Sequence, residues 1–125
     1  MSENLKSSSA PHDPRFRAEV LTRDDEVVVA VAGEIDMAAA PKLWEKLAEA
    51  IPAVKHRLVV DLSRATFIDS TGLAVLARVL KRVRRQQADL VLRAPNKSAR
   101  KVLRITGLDK VMTIDSDAAE SSPCQ

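Results

Sequence analysis

The chain has 125 residues, of which 46% are hydrophobic and 30% charged, a balance that fits one soluble domain with a single core. Aromatic residues make up only 2%, so the core must be aliphatic, and a nucleic-acid platform built on base stacking is disfavoured. No stretch approaches the roughly 20 apolar residues that a membrane helix needs, and the single cysteine, Cys124, has no partner for a disulfide or a metal site. We therefore expect a cytoplasmic protein without membrane insertion.

The net charge is +3, and much of the basic charge lies in two clusters, at residues 78–85 and 97–104. Both clusters fall in segments that we predict to be helical, where Lys and Arg usually form a solvated face. An acidic protein partner is the next interpretation, and nucleic acid comes last.

Both ends of the chain differ in composition from the middle. Residues 1–14 are rich in Ser, Pro and charge, and we predict a disordered N-terminal tail there. Residues 115–125 are predicted to be a flexible or weakly helical C-terminal tail. The folded domain is therefore expected at residues 15–114.

The first half of the chain predicts two strands followed by a helix. Residues 16–21 form the first strand, and the β-branched run at 27–32 predicts a strand buried on both faces and ended by Gly33. Pro41 suits the first turn of a helix, in which apolar residues recur at helical spacing through residue 51.

The second half begins with a short buried strand at residues 57–62. The connection that follows is expected to carry Phe67 and Ile68 inward. From Ser70 to about Arg85 the apolar residues recur on one face of a helix, namely Leu73, Leu76, Ala77, Leu80 and Val83.

Three shorter elements complete the domain: a strand at residues 88–92, a helix at 97–105 stopped by Gly107, and a strand at 111–114. The alternation of strands and helices predicts an α/β fold in which helices pack on a mixed sheet.

The segment richest in chemistry runs from an apolar strand into Asp69-Ser70-Thr71-Gly72 and then directly into a helix. Hydroxyl groups at that junction can accept from the first N–H groups of the helix, which have no partner in it. A phosphate there would meet the same N–H groups and the positive end of the helix dipole. Gly72 leaves room for a phosphate or a kinase site. Taken alone, however, such a segment is more often a plain helix cap.

Three sequence blocks resemble the STAS domains of bacterial anti-sigma factor antagonists of the sporulation and general-stress type. GEID at residues 33–36 is similar to the family's Gly-Glu-Leu-Asp. The more specific block is DLS at 61–63 followed by FIDSTGL at 67–73, and a third, RITGL, lies at 104–108. The resemblance covers residues 16–114, with the blocks in the family's order. It implies the STAS fold, an α/β fold with a mixed four- to five-stranded sheet and helices packed mainly on one face.

The resemblance implies a protein that is regulated by phosphorylation and is not itself an enzyme. In this family an anti-sigma factor that is also a serine kinase phosphorylates the serine matching Ser70, with Thr71 as a secondary candidate. The unphosphorylated form binds that kinase and frees the sigma factor, whereas the phosphorylated form does not bind. The nucleotide and magnesium belong to the kinase, so this chain needs no cofactor, and a serine phosphatase resets the system.

The predicted docking surface is the start of the Ser70 helix and its exposed side. It includes two acidic positions near the phosphorylation site, the residues around the hydroxyl and a row further along the helix: Asp36, Asp69, Ser70, Thr71, Gly72, Val75, Val79 and Arg82. The alternative that Val75 and Val79 pack in the core is equally consistent with the pattern.

Two other functions remain open within the same fold. STAS domains also occur as subunits of lipid-transport ABC systems, where they bind an ATPase without phosphorylation. A stressosome-like scaffold is a third possibility. The intact Asp-Ser-Thr-Gly segment favours the sigma-factor pathway. The run Met37-Ala38-Ala39-Ala40 departs from the polar residues common in the family, which leaves the contribution of this loop to binding open.

Overall fold

The structure, a computed structural model, describes residues 15–115. Five strands and three α-helices follow one another in the order β1-β2-α1-β3-α2-β4-α3-β5. The strands are β1 Arg17–Arg23, β2 Glu26–Ile35, β3 Arg57–Ile68, β4 Asp89–Arg93 and β5 Thr113–Asp115, and the helices are α1 Ala40–Ala50, α2 Ser70–Arg84 and α3 Lys97–Thr106. Short 3-10 turns at Ile51–Ala53 and Leu108–Lys110 extend α1 and lead into β5.

The five strands form one sheet in which the spatial order equals the chain order. β1 and β2 pair antiparallel as a hairpin, whereas β2, β3, β4 and β5 pair in parallel. Parallel neighbours require a crossover, and each of the three helices supplies one. The predicted α/β fold with a mixed sheet is confirmed.

The main core lies between one face of the sheet and the helices. Val27, Val29 and Val31 of β2 belong to the same buried cluster as the apolar stripes of α1 and α2 and as Leu103 of α3. Because successive side chains of a strand point to opposite faces, all three helices cover the same face of the sheet, as predicted.

The opposite face carries a small second cluster made of Val28, Val59 and Val91. Ion pairs lie on this face, among them Arg57 with Glu26 at 2.7 Å and Arg93 with Glu26 at 3.9 Å. The aliphatic parts of these long side chains shield the valines from water. The three valines are therefore buried although no helix covers this face of the sheet.

Two strands run further than the sequence indicates. β2 does not end at Gly33 but continues to Ile35, with Gly33 at a φ of 92° beside an irregularity in the register. β3 continues to Ile68 because its last residues pair with this extension of β2. A single-strand pattern cannot reveal such pairing, because it depends on a partner distant in the chain.

The prediction that both Phe67 and Ile68 point inward is wrong for Phe67. Ile68 is buried in the main core, but the Phe67 side chain is 49% exposed. The two residues are neighbours in an extended strand, and neighbours in a strand face opposite sides.

The predicted tails at residues 1–14 and 115–125 lie outside the described residues except for Asp115, which belongs to β5 and not to a tail. The last described residue, Asp115, ends β5, and its carbonyl accepts a hydrogen bond from the N–H of Ala94 at 2.6 Å.

Candidate functional site

The two acidic residues named with the predicted phosphorylation site lie side by side at the carboxyl end of the parallel sheet. Ile35 and Ile68 are paired across β2 and β3, and each is followed directly by one of these residues, Asp36 or Asp69. The N–H of Asp69 donates to the carbonyl of Ile35 at 3.1 Å, which fixes the end of β3 against β2. α2 begins at the next residue, Ser70.

Asp69 is the N-cap of α2. Its backbone is extended, with φ −105° and ψ −172°, and its side chain accepts from the N–H groups of Thr71 at 3.0 Å and of Gly72 at 3.2 Å. The hydroxyl of Thr71 donates to the same carboxylate oxygen at 2.5 Å. That hydroxyl, with smaller contributions from the two N–H groups, lowers the pKa of the Asp69 carboxyl below its usual range, although burial acts in the opposite direction.

This cap corrects two expectations drawn from the sequence. The group that caps α2 is the carboxylate of Asp69 and not a hydroxyl. The N–H groups of Thr71 and Gly72 are already occupied by that carboxylate, so they are not free for a phosphate on Ser70. Such a phosphate would instead lie beside a negatively charged side chain.

Ser70 and Thr71 differ in how available their hydroxyl groups are. Ser70 is exposed at the first position of α2, and within residues 15–115 its side chain makes no hydrogen bond. Thr71 is half-buried, and its hydroxyl is held by Asp69. The geometry therefore presents Ser70 as the accessible hydroxyl of the pair.

The absence of a side chain at Gly72 is required by the packing of α2 against the sheet. It is buried, and a Cβ at this position would lie 2.7 Å from Cγ2 of Ile35 and 2.8 Å from Cγ1 of Ile68. The helix thus approaches the ends of β2 and β3 too closely for a side chain. The expectation that the missing side chain of Gly72 makes room for a phosphate is wrong, because that side of Gly72 faces the core. A contact of Gly72 with a partner stays a prediction.

The structure also corrects Val75 and Val79 as docking residues. Both are buried, at 9% and 0% exposure, and both belong to the main core. The apolar stripe of α2 is wide enough to include them, so the core alternative is the one observed. Arg82, by contrast, is exposed, as are Ala74 and Arg78.

Asp36 has a local structural role. One carboxylate oxygen accepts from the N–H of Ala39 at 3.0 Å, and its carbonyl accepts from the N–H groups of Ala39 and Ala40. These bonds form the turn that leads from β2 into α1. Its contribution to partner binding stays a prediction.

Sequence reasoning missed the role of Trp44. The guanidinium carbon of Arg78 lies 3.9 Å from the centroid of the Trp44 ring, and that of Arg82 lies 5.7 Å from it. The helical spacing of apolar residues placed Trp44 in α1, but nothing in the sequence indicates which residues of α2 stand opposite it.

Among residues 15–115 there is no group of three or more His, Cys, Asp or Glu side chains that could hold a metal ion. In the same part of the chain, no helix has the length and apolar character needed to cross a membrane.

Comparison with known families agrees with this geometry. The STAS domain model matches residues 17–121. The chain belongs to the STAS domain family. The match includes the whole sheet and all three helices, together with Asp69 and Ser70 at the start of α2.

Several STAS proteins are similar to this chain over most of their length. The anti-sigma-B factor antagonist of Listeria monocytogenes is 36% identical over 82% of this chain and 90% of its own. The crystal structure of an anti-sigma factor antagonist from Mycobacterium paratuberculosis is 32% identical, covers 85% of this chain and 88% of its own, and superposes with a TM-score of 0.72.

The anti-sigma factor antagonist SpoIIAA has been solved in two forms, both 26% identical to this chain over 83% of its length. The unphosphorylated form covers 90% of its own chain with a TM-score of 0.67. The phosphorylated form covers 94% of its own chain with a TM-score of 0.62.

Proposed function

We propose that this protein is an anti-sigma factor antagonist whose binding to a serine-kinase anti-sigma factor is controlled by phosphorylation of Ser70. The observation that carries the proposal is the exposed hydroxyl of Ser70, which makes no hydrogen bond with residues 15–115 and lies beside the Asp69 carboxylate that caps α2. Relatives named as anti-sigma factor antagonists, and the existence of SpoIIAA in phosphorylated and unphosphorylated forms, support it.

The chemistry of the site explains how one phosphate would control binding. A phosphoserine carries about −1.5 to −2 charge at neutral pH. Asp69 is ionised at neutral pH, as an ordinary aspartate is, so a phosphate on Ser70 would add to the negative potential at the start of α2. An interface closed over that point would have to desolvate both charges. A coupling of about 1–3 kcal/mol changes affinity by about 5–150-fold.

The two proteins supply different groups for the transfer of the phosphate. This chain supplies the acceptor hydroxyl, whereas the anti-sigma factor supplies ATP, magnesium and the catalytic base. A serine phosphatase removes the phosphate and restores binding. This chain acts by binding and not by catalysis.

The test is intact-mass spectrometry of the purified protein after incubation with ATP, Mg²⁺ and each serine-kinase anti-sigma factor of the same organism. One added phosphate that maps to Ser70 is expected, together with loss of binding to that kinase. Ser70→Ala should take up no phosphate, whereas Thr71→Ala, the matched control, should still be modified because its neighbour remains available.

Failure of every kinase to modify the wild-type chain would overturn the proposal. Modification of Ser70→Ala at Thr71, to the same extent as the wild type, would show that the accessible hydroxyl is not the one selected.

A further inference from the structure

The exposed side of α2 carries an unusual concentration of unpaired positive charge. α2 contains no acidic residue, and its last two turns hold Arg78, Lys81, Arg82 and Arg84. Arg84 is engaged, since it donates to the carbonyl of Val111 at 2.8 Å and lies 3.7 Å from Asp89. Within residues 15–115 the other three form no ion pair and are exposed.

Trp44 holds two of these cations in place. It projects from α1, is half-buried against the main core, and presents its ring to the guanidinium of Arg78 at 3.9 Å and to that of Arg82 at 5.7 Å. A cation held over an aromatic face is attracted by the ring and keeps its N–H donors at the edge of the guanidinium plane. An arginine ordered in this way loses less side-chain entropy when it binds a carboxylate.

The two arginines lie on the same row of the helix as the phosphorylation site. Ser70, Ala74, Arg78 and Arg82 follow one another at four-residue spacing, and all four are exposed. Eight residues of α-helix span about 12 Å, so Ser70 and Arg78 fit under a single protein interface. Ala74, between them, has only a methyl side chain and leaves the row open.

We propose that Arg78 and Arg82, ordered by Trp44, bind carboxylate side chains of the anti-sigma factor. They would form a second contact of the docking surface, in addition to the one at Ser70. This assignment rests on the proposed function and adds the chemistry of the partner. The partner's surface would carry Asp or Glu about two helical turns from the point where it meets Ser70, because the planar fork of arginine matches a carboxylate in two parallel hydrogen bonds.

An acidic protein fits this surface better than nucleic acid does. A protein that makes 6–10 phosphate contacts needs a broad field of cations, whereas the ordered pair occupies one narrow row beside an aromatic ring. The net charge of the whole chain is only +3. Charge complementarity over a small patch is what sets the orientation and association rate of two proteins.

The test compares two charge-reversal variants of the full chain. Arg78→Glu/Arg82→Glu reverses the proposed contact. Arg100→Glu/Arg104→Glu is the matched control, because both residues are exposed arginines four residues apart on α3, without an ion pair among the described residues. Binding to the anti-sigma factor that modifies Ser70 is measured by calorimetry at two or more salt concentrations, and thermal unfolding checks that each variant is folded.

We expect the Arg78/Arg82 variant to bind at least about tenfold more weakly than the wild type, with a smaller dependence on salt, and the Arg100/Arg104 variant to bind within about threefold of it. Equal binding by the wild type and the folded Arg78/Arg82 variant would overturn the assignment while leaving the proposed function standing. Equal weakening by both variants would also overturn it, since the effect would then be general charge attraction. If no anti-sigma factor binds the unmodified wild-type chain, the proposed function fails and this assignment fails with it.

A parallel measurement with a random-sequence DNA duplex tests whether this surface binds nucleic acid instead of a protein. DNA binding that Arg78→Glu/Arg82→Glu abolishes, with unchanged binding to the anti-sigma factor, would assign the surface to nucleic acid and overturn the proposal.

Discussion

At the start of α2, capping of the helix and presentation of an accessible hydroxyl belong to two different side chains, Asp69 and Ser70. Asp69 satisfies the first N–H groups of the helix and holds the Thr71 hydroxyl, while Ser70 makes no hydrogen bond with the described residues. The helix therefore starts correctly whatever happens to Ser70. The sequence pattern located this segment and the resemblance selected Ser70, but which carboxylate bonds which N–H depends on backbone angles that the residue types leave open.

Replacing Asp69 by Ala should lower the free energy of unfolding by about 1 kcal/mol, because the N–H groups of Thr71 and Gly72 lose their acceptor. Urea unfolding at pH 7 measures the change. Asp69→Asn is the matched control, since its amide oxygen can still cap the helix and should preserve most of the stability. If Asp69→Asn lost as much unfolding free energy as Asp69→Ala, the capping role would be contradicted.

Wild type and Asp69→Ala also test how the stabilisation by Asp69 depends on pH. The pKa of Asp69 is lowered in the folded state, so its carboxylate contributes stability that is fully present above the unfolded value of about 3.9. That contribution is lost as the pH falls through the lower, folded value. The difference in unfolding free energy between wild type and Asp69→Ala should be constant from about pH 5 to 8 and shrink below about pH 4.

Whole elements were easier to predict than their ends and their neighbours. The apolar spacing of α1 and α2 and the β-branched run of β2 were sufficient to place them. Val75 and Val79 could not be assigned from spacing, because the width of the buried stripe is set by how closely α2 packs on the sheet. The end of β3 and the contact of Trp44 with Arg78 were missed because they are created by segments distant in the chain.

Close packing of α2 on β2 and β3 predicts an unusual effect at Gly72. In an exposed helix, alanine is more stable than glycine by about 1 kcal/mol. Here Gly72→Ala should instead lower the free energy of unfolding by about 1–2 kcal/mol, because the added methyl must displace Ile35 or Ile68. Thermal or urea unfolding measures the sign directly.

The control for Gly72 is Ala74→Gly, an exposed position on the same helix. It should lose about 1 kcal/mol through helix propensity alone. If propensity also governed position 72, Gly72→Ala would be more stable than the wild type, and the close approach of helix and sheet would be refuted.

At the level of the whole molecule, the core and the proposed phosphorylation site lie in different places. Most of the buried apolar side chains lie between the helices and one face of the sheet, whereas Ser70 is exposed at the carboxyl edge. The α/β class followed from the alternation of elements, since parallel strands need helical crossovers, whereas the placement of the helices on one face was implied by the resemblance to STAS domains.

This separation predicts that charge at Ser70 changes binding without changing the fold. Ser70→Glu should unfold within about 0.5 kcal/mol of the wild type, as expected for a surface position, and should bind the anti-sigma factor more weakly than Ser70→Ala. Circular dichroism, thermal unfolding and calorimetry test the two parts separately. A loss of more than about 2 kcal/mol would mean that the phosphate acts by destabilising α2 and not at the interface.

The freedom of the Ser70 side chain from the fold also bears on how this protein evolves. Since no residue from 15 to 115 depends on that hydroxyl for a hydrogen bond, the fold of these residues does not by itself require a serine at position 70. If Ser70 is the regulated residue, as proposed, a chance replacement there would leave a folded protein that has lost its control. Selection on the regulatory output would then be what keeps the serine, and a descendant released from that selection would lose the serine before it lost the fold.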